Sequence, residues 1–116
     1  MDVYHIWCDL ADGVGDLEFA ERLGSFLGDL ETRGAIEGHR VTRRKLGLSS
    51  TGLGEFHIMI ETRDLAQLDE AFRHVGSRAE PIEGKHFDVN SLARNTRFAL
   101  YRDFPDPFRE AGEEKF

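Results

Sequence analysis

At 116 residues the chain has the size of one domain, with 40% apolar residues, 10% aromatic residues and a formal net charge of −7. That composition excludes a disordered chain. The acidic balance argues against a nucleic-acid partner, which would be met by a basic surface; the one basic cluster, Arg40, Arg43, Arg44 and Lys45, is short and lacks interleaved aromatic platforms. A single cysteine, Cys8, rules out an intrachain disulfide. The Met1 end has no charged-then-apolar leader, and no apolar run approaches the roughly 18 residues needed to cross a bilayer. The expectation is a cytoplasmic protein in a reducing compartment, with no membrane partner.

Residues 2–10, DVYHIWCDL, alternate with period two and read as a strand. One face carries Tyr4, Ile6, Cys8 and Leu10; the other carries Val3, His5, Trp7 and Asp9. After the turn ADGVG, Asp16 is placed to cap a helix. Phe19, Leu23, Phe26, Leu27 and Leu30 follow at helical spacing, and Gly34 stands where a helix would end. Ala20, Gly24 and Gly28 fall at i, i+4, i+8, and the expectation is close helix–sheet packing there. Residues 36–48 and 55–62 read as two strands of a hairpin joined by the Gly- and Ser-rich loop 49–54. A register that sets Arg44 opposite His57 also sets Arg40 opposite Glu61. The glycines of GLGE, residues 52–55, read as turn chemistry.

Asp64 and Gln67 form a capping-box pattern for a second helix, with Leu65, Leu68, Ala71, Phe72 and Val75 as its buried stripe. Residues 86–95 suggest a short helix, and residues 96–103 the last strand. From residue 105 the two-proline, charged tail reads as an extension of a domain spanning 1–104.

Strand, helix, strand, strand, helix, strand is the ferredoxin-like order, an α+β fold with both helices on one face of an antiparallel sheet. The other face then holds Val3, Trp7, Met59 and, according to the parity of the last strand, Ala99 and Tyr101 or Phe98 and Leu100. Leaving such groups in water forfeits about 1.5–3 kcal/mol for each large side chain. A second copy of the same face is the economical cover. The segments DVYHIWCDL, RRKLGL through GLGEFHIMIE to RDLAQLD, and RFALYRDFPDP resemble the dimeric α/β-barrel superfamily, and within it a small bacterial group with no assigned activity. The resemblance implies a homodimer in which two ferredoxin-like sheets meet face to face as a barrel. The superfamily includes small monooxygenases, haem-handling enzymes and small-molecule carriers, so it lends fold and assembly rather than one chemistry.

His5, Trp7, Asp9, Arg40, Thr42, Arg44, His57 and Met59 all point away from the helices in this arrangement. They are read as interface polar groups, as a ligand pocket, or as a catalytic site. For a pocket, Trp7, Met59 and Tyr101 supply apolar walls, and His5, His57 and Arg44 fix a carboxylate or other oxygen-bearing head. The expected ligand is a small, partly apolar molecule, held either between sheet and helices or between the two sheets. For catalysis, His5 or His57 acts as general base on an aromatic or quinol-like substrate, as a cofactor-free monooxygenase would. The Asn–Trp–His arrangement of haem-handling relatives does not map onto Trp7, so no haem or other cofactor is expected. His5 and His57 with Asp9 or Glu55 lack the grouped spacing of a metal site, and none is expected. Cys8, on the apolar parity, reads as a small buried hydrophobe. His86 reads as a loop histidine.

Overall fold

Alternation at the start of the chain does produce a strand, and each later element follows in the expected order. The structure is a computed structural model and describes residues 1–76 and 89–105. Its elements are β1 (Asp2–Leu10), α1 (Asp16–Thr32), β2 (Gly38–Arg43), β3 (Phe56–Thr62), α2 (Leu65–Gly76) and β4 (Ala93–Arg102). The four strands form one sheet in the order β2-β3-β1-β4, each pair antiparallel. This is the ferredoxin-like α+β fold. The expected segment 86–95 is described only from residue 89, with residues 89 and 90 helical. His86, and the tail beyond residue 105, lie outside the described residues.

The helix-facing parity makes the core. Cys8, Phe56, Ile58 and Ile60 from the sheet pack with Phe19, Leu23, Phe26, Leu27 and Leu30 of α1 and with Ala71 of α2. Phe19 and Leu27 are fully buried, and the Phe19 ring meets Phe56 at 5.1 Å between centroids. Burial pushes the Cys8 thiol up to about 11, with the charge of Asp9 adding to the effect, so it stays a protonated, inert packing group.

Local caps fix the helices. The cap of α1 is Gly15, one position earlier than expected, and Asp16 is the first helical residue. Asp16 is drawn instead to Arg43, which bridges it at 2.9 Å and Glu55 at 2.7 Å, tying the start of α1 to the strand hairpin. At the other end Gly34 takes φ 76°, Gly34 N–H donates to Glu31 O and Ala35 N–H to Leu30 O, a Schellman close that a side chain at 34 would strain. Asp64 caps α2 by accepting from Gln67 N–H at 2.9 Å. Gln67, only 5% exposed, accepts from Arg63 N–H and donates to Gly34 O, so the start of α2 is latched to the end of α1. Leu65 and Phe72, expected in the buried stripe, are more than half exposed.

Three readings of the sequence need correction. The β2–β3 register differs by two residues: His57 stands opposite Thr42, and Met59 opposite Arg40. β2 ends at Arg43 because Leu46 and Gly47 turn the chain with positive φ, which lengthens the hairpin loop. A two-residue slip keeps every side chain on its face, so hydrophobic pattern alone does not detect it. Second, Ala20 and Gly24 face solvent, and among the described residues a Cβ added at Gly24 or Gly28 would meet no atom beyond its own helix backbone and chain neighbours within 4 Å. Among the described residues no backbone approaches that stripe, so Gly24→Ala and Gly28→Ala should each raise stability by about 1 kcal/mol, read as a higher urea midpoint at unchanged slope. Third, Gly54 is more than turn chemistry: a Cβ there would lie 2.5 Å from the Cys8 carbonyl carbon and oxygen.

Candidate functional site

The parity of β4 settles which of its residues share the open face. Val3 pairs with Tyr101, His5 with Ala99 and Trp7 with Arg97; Tyr4 and Ile6 pair with Leu100 and Phe98 on the helix side. On β3, Met59 stands opposite His5 and His57 opposite Trp7. The open face therefore carries, across β2, β3, β1 and β4, Arg40–Met59–His5–Ala99 in one row and Thr42–His57–Trp7–Arg97 in the next.

His5, Trp7 and His57 form one stack. Trp7 lies 4.5 Å from His57 with an 11° interplanar angle, and His5 lies 5.5 Å from Trp7 at 12°. Tyr101 meets His5 edge-on at 5.1 Å. His5 Nδ1 and His57 Nε2 are 2.8 Å apart, a hydrogen bond in which one ring donates and the other accepts. Burial lowers the pKa of both rings from the ordinary histidine value, and for His57 the neighbouring His5 lowers it further. At neutral pH the pair is uncharged. Whichever ring donates, one outer nitrogen then carries a hydrogen and the other a free lone pair. The pair can thus offer one donor and one acceptor.

Arg44 is not brought into this group. It follows the end of β2, its backbone N–H donates to Glu55 O, and its guanidinium donates to the Leu53 carbonyl at 2.9 Å. It lies close enough to Asp9 to help hold that carboxyl below its usual range, after the larger effects of the Glu55 N–H and the Asn95 amide, which donate to Asp9 at 2.9 and 3.2 Å. Asp9 sits just past a bulge where the β1–β4 register shifts between Trp7 and Asp9. This end of the open face is a polar depression lined by Asp9, Gly52, Leu53, Asn95, Thr96 and Arg97. Arg97 was not among the residues singled out from the sequence. The signal was present: if Tyr101 faces inward, Arg97 four residues earlier shares its parity.

On the helix side a separate cavity of about 340 Å³ is lined almost entirely by apolar groups, among them Tyr4, Cys8, Phe26, Ile58, Phe72 and Phe98. Its few polar groups stay neutral, since burial also raises the Tyr4 hydroxyl. Among the described residues no three His, Cys, Asp or Glu side chains converge as metal ligands, and no helix is long and apolar enough to cross a membrane.

The fold recurs in solved structures of low sequence identity. At3g17210 from Arabidopsis thaliana is similar over 93% of this chain and 100% of its own, with a TM-score of 0.71 at 8% identity. SnoaB from Streptomyces nogalater, described as a cofactor-independent oxygenase, is similar over 93% of this chain and 98% of its own, with a TM-score of 0.65 at 8% identity. A protein from Jannaschia sp. CCS1, described as a dimeric ferredoxin-like protein of unknown function, covers 89% of this chain and 100% of its own, with a TM-score of 0.62 at 12% identity. No curated protein sequence matches the chain. The model of one protein family matches it from residue 1 to 116, and the chain belongs to that family, DUF6614, described as a family of unknown function.

Proposed function

We propose that the protein is a homodimer whose two open sheet faces close on each other as a barrel and hold a small, partly apolar molecule with a carboxylate or other oxygen-bearing end. The observation that carries this reading is the half-exposed stack of His5, Trp7 and His57, edged by Tyr101 and Met59, on a sheet face opposite both helices. Aromatic and apolar groups of this size cost free energy in water, and a twin face removes them from it while leaving a polar pair inside. The dimeric description of the Jannaschia protein supports the assembly. Trp7, Met59 and Tyr101 supply walls, and the His5–His57 pair supplies one donor and one acceptor for the polar end.

A second reading is a cofactor-independent oxygenase for an aromatic or quinol-like substrate. The neutral histidine pair favours it, because its free lone pair offers a proton acceptor for a phenolic hydroxyl, with dioxygen as the oxidant. The description of SnoaB accords with that chemistry on this fold.

Sedimentation equilibrium at micromolar concentration should return a dimer for the native chain and a monomer for Met59→Glu, whose added carboxylate would face its own copy across the interface. Native mass spectrometry of the dimer should show a bound small molecule released on denaturation. A stable lone chain would remove the assembly, and an empty dimer that takes up no small molecule would remove the ligand.

A further inference from the structure

We infer that the molecule held on the open face is a flat organic anion, and that Arg97 binds its charged group. This rests on the reading of that face as a ligand site and adds to it the charge of the ligand and the residue that selects it. The row Thr42, His57, Trp7 and Arg97 runs straight across the four strands on one face, so Arg97 stands on the strand next to Trp7. Three other arginines at this end of the sheet are engaged. Arg43 bridges Asp16 and Glu55, Arg94 pairs with Asp12 at 3.2 Å, and Arg44 donates to the Leu53 carbonyl. None of the ion pairs found among the described residues includes Arg97.

Among the described residues the one carboxylate lining the depression is Asp9, and each of its oxygens already accepts a hydrogen bond, from Glu55 N–H and from the Asn95 amide. The loop is shaped to the guanidinium. A Cβ at Gly52 would lie 3.2 Å from both Cζ and Nη2 of Arg97, and Gly52 holds φ 87°, a conformation that side chains rarely adopt. Arg97 is therefore laid over a glycine with its donors open to the depression. Trp7, whose ring lies near-parallel to that of His57, is the cross-strand partner of Arg97. A guanidinium next to an aromatic surface fits a planar ring bearing a carboxylate, which Arg holds with two parallel hydrogen bonds. Arg40, in the adjacent row beside Met59, adds to the positive potential of the face.

The discriminating experiment uses the full-length protein, isothermal titration calorimetry and two probes of one shape, trans-cinnamate and its neutral isostere cinnamamide. Cinnamate should bind at least tenfold more tightly than the amide. Arg97→Gln should bring cinnamate down to the affinity of the amide without changing the amide, and Arg97→Lys should keep part of the preference. Equal affinity of the native protein for both probes, or a preference for cinnamate that survives Arg97→Gln, overturns the role of Arg97 while leaving the ligand site standing. If neither probe binds, the open face is not a site for planar aromatic anions and this inference falls, while the parent reading, which asks only for a small, partly apolar molecule, is decided separately by native mass spectrometry of the dimer.

Discussion

Gly54→Ala should destabilise the protein by about 3 kcal/mol, toward the upper end of what overpacking costs. The added methyl would sit 2.5 Å from the carbonyl carbon and oxygen of Cys8 and 2.7 Å from its nitrogen. These are backbone atoms of the central strand β1, so no side-chain rotation relieves the contact. Cys8 itself is pinned, because it pairs with Phe56 across β1–β3 and its side chain is buried in the core. The residue after Gly54 is held as well, since Glu55 N–H donates to Asp9 at 2.9 Å. Relief requires moving the hairpin loop off the sheet, which breaks that bond and widens the polar depression beside Arg97. Equilibrium urea unfolding of Gly54→Ala beside Gly28→Ala provides the contrast. The first should lower the midpoint and the second raise it, although both replace glycine with alanine. A Gly54→Ala midpoint equal to that of the native chain would show that the loop does not lie on β1 as described.

The contrast between the two glycines shows where sequence reading reaches its limit here. Alternation in residues 2–10 and 55–62 is legible because each strand has one strongly apolar parity. It places His5, Trp7, His57 and Met59 on the other face, and the stack found there needs in addition the pairing of β1 with β3 that sets Trp7 opposite His57. Spacing likewise reveals the buried stripe of α1. The last strand is different: TRFALYRD is apolar on both parities, so only pairing with β1 shows that Tyr101 and Arg97 share the open face. Arg44 shares the parity of Arg40 and Thr42, but the strand ends before it, and a hydrogen bond to Leu53 draws its guanidinium toward Asp9. Small residues in a row suggest close packing, yet only tertiary structure tells that Gly24 and Gly28 face open space while Gly54 meets a backbone.

Lowering the pH from 7.5 to 5.0 should weaken the proposed dimer at least tenfold and lower the stability of the chain, and removing the histidine pair should abolish most of the change. A histidine whose folded pKa lies below its unfolded value binds fewer protons when folded. Its stabilising contribution is therefore complete above about pH 6.5 and declines as the pH falls through that value. His5 and His57 are both shifted in this direction by burial, and His57 further by His5. The two titrate as a pair. The first proton preserves the 2.8 Å hydrogen bond, because one inner nitrogen can still accept. The second puts a hydrogen on both inner nitrogens, turning the bond into a repulsion between rings 5.0 Å apart, worth about 1–3 kcal/mol between the limits of aqueous and partly buried surroundings. The surrounding charges do not reverse the sign. Arg40 and Arg97 on the neighbouring strands are positive, while Asp9 and Glu61 share the face, Asp9 already engaged by Glu55, Asn95 and the nearby Arg44. Covering the face with a second copy deepens the burial and brings two such pairs into one interior, so acid opposes association more strongly than it opposes folding. Carboxylates held below their usual range, Asp9 and Asp16, stay ionised throughout this interval and contribute no competing titration. Sedimentation equilibrium at the two pH values, repeated on His5→Gln/His57→Gln, measures the effect. A dimer whose affinity does not change between pH 7.5 and 5.0 would mean that the histidine pair lies outside the interface.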